Sequence, residues 1–187
     1  YDTYLLKMVD IYTEAIKGLE KFHVEYIAKK VIEQKGDRVY TFSRERIKWH
    51  KEQGHIVIAI SGSPYELVKE MSAKYDMDDF RGTVYMLNSN GQYTGEVIPM
   101  WDSESKEKAI LELKDLYDID LSQSYAYGDT AGDFTMFKNV GIPYAINPTR
   151  ELITKVMNDK EVKDKINIIV ERKDSTYKLD INTLELL

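Results

Sequence analysis

Cysteine is absent from the 187 residues, which excludes disulfides, zinc–thiolate sites and thiol nucleophiles. No apolar run approaches the roughly 20 residues that a membrane-spanning helix requires. No secretory-signal pattern opens the sequence, so a cytoplasmic location is the expectation. No block of Lys or Arg stands out, and the formal charge is −6. Binding to a nucleic-acid backbone needs a basic face that displaces counterions; neither nucleic acid nor a membrane is an expected partner. Repeats and low-complexity tracts are missing too. What the chain does have is apolar content, 43% of its residues, sufficient for one full domain or a core with a small cap. It also has 14 tyrosines, which suit an aromatic-lined pocket or interface and ordinary core packing equally well.

Residues 4 to about 34 carry helical periodicity. Leu5, Met8, Val9, Tyr12, Ile16 and Leu19 form one stripe, with Gly18 near its stop. Val24, Ile27, Ala28, Val31 and Ile32 form a second, closed by Lys35-Gly36-Asp37. Two short helices of this kind suit a lid or plain packing. From Ser43 the pattern changes to alternating helix and strand. Ser43 is placed to cap a helix Arg44–Glu52 and Gly54 to end it. His55–Ile60 reads as a strand buried on both faces, and Pro64 as the opening of a helix Tyr65–Tyr75. Thr83–Leu87 and Tyr93–Val97 flank Asn88-Ser89-Asn90-Gly91 as a β-hairpin. A helix Glu104–Tyr117, a strand Ser124–Tyr127, a helix Phe134–Val140, a strand Pro143–Ile146, a helix Arg150–Met157 and a last strand Ile166–Val170 follow. This alternation predicts an α/β fold with a mainly parallel, Rossmann-like sheet and helices on both faces.

Three constellations carry chemistry. Ser61-Gly62-Ser63 ends an apolar strand at a helix start; its hydroxyls and free N–H groups suit an anion, or an ordinary helix cap. Lys106 lies four residues before Ile110 and seven before Leu113, on the buried stripe of its helix, which Asp102 or Ser103 can cap. A lysine there opposes the helix dipole and calls for an anionic partner, unless it snorkels to solvent. Asp129 and Asp133 stand four apart in Gly128-Asp129-Thr130-Ala131-Gly132-Asp133, between strand and helix. The strand's C-terminal end is where open α/β sheets place their chemistry. Paired carboxylates there suit a hard cation such as Mg²⁺, or a turn with a helix cap. Hydroxyl, ammonium and twin carboxylates at one edge of a parallel sheet are what phosphoryl transfer needs.

In this order the constellations resemble the second, third and fourth motifs of the haloacid dehalogenase-like (HAD) superfamily, in particular its phosphoserine-phosphatase-like subgroup (subfamily IB). The similarity covers about residues 40 to 180, and the fourth motif is the most specific. The resemblance implies a magnesium-dependent phosphomonoester hydrolase that works through an aspartyl-phosphate on a small phosphorylated metabolite. Ser61 and the N–H of Gly62 would hold the phosphate. Lys106 would neutralise the phosphate and the nucleophile. Asp129 would ligate Mg²⁺, with Asp133 ligating it or orienting its waters. Residues 1–40 would be part of a helical cap and residues 41–187 the core, with the hairpin near 83–97. Arg38 and Lys35 are candidate contacts to an anionic group of the substrate, with solvated surface charge the favoured alternative.

The family's first motif, Asp-x-Asp-x-Thr, supplies the nucleophile and the general acid/base from the end of the central first strand. It is missing here; Asp2-Thr3 has no strand before it. The expectations are that the polypeptide continues upstream, that the central strand is absent from these residues, and that they alone turn over no substrate. A catalytically inactive relative that binds a phosphorylated ligand or a protein partner is the alternative. A receiver-type signalling domain fits the helical first segment and the Asp129/Asp133 spacing poorly. Compared with the Ser-Gly-Gly and Gly-Asp-Gly-Ala-Asn-Asp usual in phosphoserine phosphatases, Ser63, Thr130 and Gly132 are departures. Phosphoserine, phosphocholine-type and histidinol-phosphate-type substrates therefore all stay open.

Overall fold

Helix and strand alternate along the computed structural model, which describes residues 2–186. The expected missing strand and first motif, placed before Tyr1, lie outside the described residues. The chain divides into two compact units, Tyr1–Val39 with Ile47–Met100, and Tyr40–Arg46 with Trp101–Leu187.

In the first unit, α1 (Asp2–Ile16) and α2 (Lys21–Lys35) are the two expected helices. Only part of each predicted stripe faces inward. Ile16, Val24 and Ala28 are buried, whereas Met8, Leu19, Ile27 and Val31 are exposed. β1 (Ile58–Pro64), α4 (Tyr65–Lys74), β2 (Asp79–Leu87) and β3 (Tyr93–Ile98) follow the helix α3 (Thr41–Glu52). β1 pairs parallel with β2, Ile58 opposite Asp79, and β2 pairs antiparallel with β3, Tyr85 opposite Val97. The hairpin is as expected. The first strand is not: it starts three residues later than His55 and carries Ser61-Gly62-Ser63 within it rather than beyond it. Nor is it buried on both faces, since no β1 residue is fully buried. Among the described residues β1 has a strand partner on one side only, which accounts for that exposure.

The core of this unit gathers Ile16, Val24, Tyr85 and Tyr93, with Tyr12, Leu87 and Val97 against it. Inside it lies a carboxylate. Glu66, in the first turn of α4, is 6% exposed. Its Oε1 accepts a 2.7 Å hydrogen bond from the Tyr93 hydroxyl, and its Oε2 has no hydrogen-bond partner among the described residues. Burial, and then the bond to Glu66, push the Tyr93 phenol well above the ordinary tyrosine range. The pair ties α4 to β3 across the core.

The second unit holds a four-stranded sheet in the order β4 (Tyr125–Gly128), β5 (Ile142–Ile146), β6 (Asn167–Glu171), β7 (Thr176–Leu179). The first three strands are parallel and β7 is antiparallel. Helices α5 (Ser103–Tyr117), α6 (Phe134–Asn139), α7 (Arg150–Met157) and α8 (Lys160–Lys165) accompany them. Ala126, Phe137, Ala145, Leu152, Val156, Val162 and Ile168 form the core. The α/β class with mainly parallel strands is as predicted; among the described residues the strands fall in two sheets, with β1 and β4 each at a sheet edge. Three further differences have identifiable causes. β7 is polar and largely exposed, so no apolar alternation marks it. α8 is a short helix capped by Asp159, whose Oδ1 accepts from Val162 N–H at 3.1 Å. α3 begins at Thr41 rather than Arg44 because the Glu171 carboxylate, 130 residues away, accepts from the N–H groups of Thr41 and Phe42 at 2.8 Å each.

Tyr93→Phe leaves the Glu66 carboxylate buried with neither oxygen bonded. The expected cost is about 1–3 kcal/mol, read as a lower urea midpoint at unchanged slope.

Candidate active site

β4 rises through the core on Ala126 and ends at Gly128, and the chain then turns through a 3₁₀ segment, Ala131–Asp133, into α6. The turn is built around Asp133, which is 4% exposed. Its Oδ2 accepts from the backbone N–H groups of Asp129 and Thr130, both at 2.9 Å, and from the Thr130 hydroxyl at 3.2 Å. Its Oδ1 accepts from Lys106 Nζ at 2.5 Å. Gly128 permits this closeness: a Cβ there would lie 2.5–2.6 Å from the Asp133 carboxyl group and Cβ.

Lys106 is 6% exposed, in the first turn of α5, as its place on the apolar stripe predicts. Asp102 caps that helix, its Oδ1 accepting from Ser105 N–H at 2.8 Å. The ammonium lies at the positive end of the helix dipole, and Asp133 supplies the compensating charge. Ile110 and Leu113 anchor the same face in the core.

Asp129 differs from Asp133 in kind. It is exposed and has no ion-pair partner among the described residues. Partial burial, followed by the negative charge of Asp133, pushes its carboxyl above the usual carboxylate range, with Lys106 pulling the other way. Its carbonyl is braced by Thr149 N–H at 2.8 Å, from the loop that enters α7. A carboxylate so held, accessible and short of positive charge, fits a hard cation. Both Asp133 oxygens are already engaged, so its fit to a cation is indirect. Among the described residues no three His, Cys, Asp or Glu side chains form a metal cage; a Mg²⁺ ion at Asp129 would keep several waters.

Lys106, Asp129 and Asp133 are thus brought together within the second unit. Ser61 and Gly62 belong to the first, within β1. Arg38 is exposed just beyond α2. Sequence reading missed Arg46, whose Nε donates to the Tyr127 hydroxyl at 3.0 Å and whose guanidinium lies 5.7 Å and 5.9 Å from the ring centres of Tyr125 and Tyr144. It steadies the strand that delivers Gly128-Asp129. Burial raises the Tyr127 phenol to about 12, against the opposing pull of Arg46. The tyrosine spacing 125, 127 on one strand face was the only available signal.

Two outcomes are expected. Asp133→Ala strands Lys106 and two N–H groups in the interior and costs about 3–5 kcal/mol, whereas replacing both partners with Leu and Met costs less; chemical denaturation measures each. Asp129 has a raised folded-state pKa, so its ionised form opposes folding, an effect absent at pH below the ordinary Asp value and growing as pH rises through the folded one. Asp129→Asn therefore raises the melting temperature at pH 7 in metal-free buffer, and the gain disappears in acid.

The chain is similar to several known proteins. The family model for haloacid dehalogenase-like hydrolases matches residues 4–138. The inhibition of morphological differentiation protein of Streptomyces azureus is 34% identical over 114 residues, 61% of this chain and 41% of that protein. The phosphoserine phosphatase of Methanocaldococcus jannaschii is 27% identical over 160 residues, 85% of this chain and 68% of that one. A solved phosphoserine phosphatase, described as a phospho-aspartyl intermediate analogue, superposes with a TM-score of 0.59 at 23% identity, covering 87% of this chain and 70% of that chain; the likeness is one of fold. The chain spans roughly two fifths of the length of several of the curated relatives it matches. With the model spanning most of its length, the chain belongs to the haloacid dehalogenase-like hydrolase family.

Proposed function

We propose that these residues supply the phosphate-handling and metal-handling parts of a magnesium-dependent phosphomonoester hydrolase acting through an aspartyl-phosphate. The observation that carries this reading is the Asp133 carboxylate, which joins a buried Lys106 to the N–H groups of Asp129 and Thr130. It fixes an ammonium and an accessible carboxylate in one rigid turn. That is electrostatic preorganisation for a transferring phosphoryl group. Mg²⁺, held by Asp129, would act as a Lewis acid on phosphate oxygens. Asp133 orients rather than ligates, since its oxygens are taken up by Lys106 and the turn. Lys106 adds positive charge beside the phosphate and the nucleophile. The family resemblance assigns Ser61 and the N–H of Gly62 to phosphate binding. The nucleophilic Asp of an Asp-x-Asp-x-Thr motif is not among the 187 residues, and in this reading it comes from sequence outside them. Residues 1–40 act as a cap, with Arg38 a candidate contact to substrate.

The substrate is a small phosphorylated metabolite, phosphoserine-like in class. The Methanocaldococcus jannaschii relative's name supports this, while Ser63, Thr130 and Gly132 argue for a site not dedicated to phosphoserine itself. The site is expected to work in the cytoplasm. One sequence fact favours a second reading, an inactive relative that binds a phosphorylated ligand or a protein partner: the absence of Asp-x-Asp-x-Thr from these residues.

The test is phosphatase turnover by the full-length protein on p-nitrophenyl phosphate and phosphoserine. Turnover is expected only with Mg²⁺ and is abolished by a chelator. Lys106→Ala lowers kcat/KM by about 10²-fold or more, and Ser61→Ala lowers it by about tenfold. The 187 residues alone are expected to give none. Mg²⁺ raises the melting temperature of the wild type and not of Asp129→Asn. Metal-independent hydrolysis overturns the proposal; Mg²⁺-dependent phosphate binding without turnover in the full-length protein selects the second reading.

A further inference from the structure

Thr83 is 0% exposed and has no role in the family resemblance described above. It lies on β2 opposite Pro64, beside the Ser61-Gly62-Ser63 segment. Its hydroxyl is doubly used: Oγ1–H donates to the Gly62 carbonyl at 2.9 Å, and Oγ1 accepts from the Met100 N–H at 3.3 Å. A hydroxyl has one proton to give, and here Gly62 receives it.

The Gly62 carbonyl and the Ser63 N–H flank one planar peptide bond and point in opposite directions. Holding the carbonyl therefore sets the direction of the N–H. That N–H donates to Ser61 Oγ at 3.2 Å. Ser61 Oγ thus accepts a hydrogen bond on one lone pair, which leaves its own O–H free to donate away from that N–H. The neighbouring residue favours the same contact. A Cβ at Gly82 would lie 2.9 Å from Tyr65 Cα and 3.2 Å from the Ser63 carbonyl oxygen, so the bare backbone there lets β2 approach the segment closely. The buried Tyr93–Glu66 bond secures α4, which continues directly from it.

We infer that Thr83 is a positioning residue for the phosphate site, orienting the Gly62–Ser63 peptide so that the Ser61 hydroxyl is held as a donor to a phosphate oxygen. This rests on the reading of Ser61 given under the proposed function. The bond network itself, Thr83 to Gly62 and Ser63 to Ser61, is independent of that reading. Because it acts through a peptide plane, Thr83 needs no contact with the ligand.

The experiment uses the full-length protein in Mg²⁺ with inorganic phosphate as the probe. It compares wild type, Thr83→Val, Thr83→Ser, Ser61→Ala and the Ser61→Ala/Thr83→Val double variant. Amide hydrogen exchange at Ser63, followed by NMR, reports the positioning directly; calorimetric titration gives the phosphate Kd. In Thr83→Val the Ser63 amide is expected to exchange about tenfold faster, and phosphate to bind about fivefold more weakly, the loss of one hydrogen bond. Thr83→Ser, which keeps the hydroxyl, is expected to restore both, separating the hydroxyl's role from packing or folding. The double variant should bind phosphate no more weakly than Ser61→Ala alone, since Thr83 acts through Ser61. An unchanged Ser63 exchange rate in Thr83→Val overturns the positioning role. So do additive losses in the double variant or a failure of Thr83→Ser to restore. If Ser61→Ala binds phosphate as the wild type does, it is the phosphate reading of Ser61 that falls, and Thr83's place in the site falls with it, whatever the Ser63 exchange rate shows.

Discussion

One buried carboxylate holds the second unit's chemistry in place. Asp133 takes a proton donor from α5 on one oxygen and three donors from its own turn on the other. Removing two charges from water is costly, and the cost is offset only where geometry is good and the remaining hydrogen-bonding capacity is filled. Both conditions are met at Asp133. The result is specialisation between two residues of one type. Asp133 is a structural anion with both oxygens hydrogen-bonded, and Asp129, four residues earlier, is left exposed.

The first unit uses another device for a similar end. There the fixed object is a peptide plane, gripped by a buried hydroxyl on the neighbouring strand. In both units an accessible polar group is aimed by groups that are themselves inaccessible. Rigidity at such positions matters more than the strength of any single contact, because reacting groups misplaced by about an ångström lose much of their rate advantage.

The legibility of these features in the sequence follows the range of the forces behind them. Lys106 could be placed on an inward face because helix periodicity is local, and the bounds of α7 could be read because Thr149 caps it three residues from Leu152. Asp129 and Asp133 were visible as a pair, but their division of labour was not, since it depends on Lys106 arriving from α5. The start of α3 was misplaced for the same kind of reason: Glu171, far along the chain, satisfies its first N–H groups. β7 lacked any apolar signature because it is exposed. Ser61-Gly62-Ser63 read as the end of a strand at a helix start, since serine is a favoured helix cap, yet the strand continues through Pro64, which pairs with Thr83 of β2 across an irregular register. Thr83 carried no signal at all, as a threonine in a strand is unremarkable until its neighbour's carbonyl is known.

The strand that holds Ser61, β1, and the one that leads into Asp129, β4, each have a strand neighbour on one side only among the described residues. An unpaired edge is a row of hydrogen-bonding groups without partners, open to whatever extended chain comes first. Native proteins commonly blunt such edges with charge or proline, but the β4 edge is Tyr125-Ala126-Tyr127-Gly128, with neither. An edge of that composition favours strand capture and self-association, and a formal charge of −6 acts against it only through long-range repulsion that salt screens away.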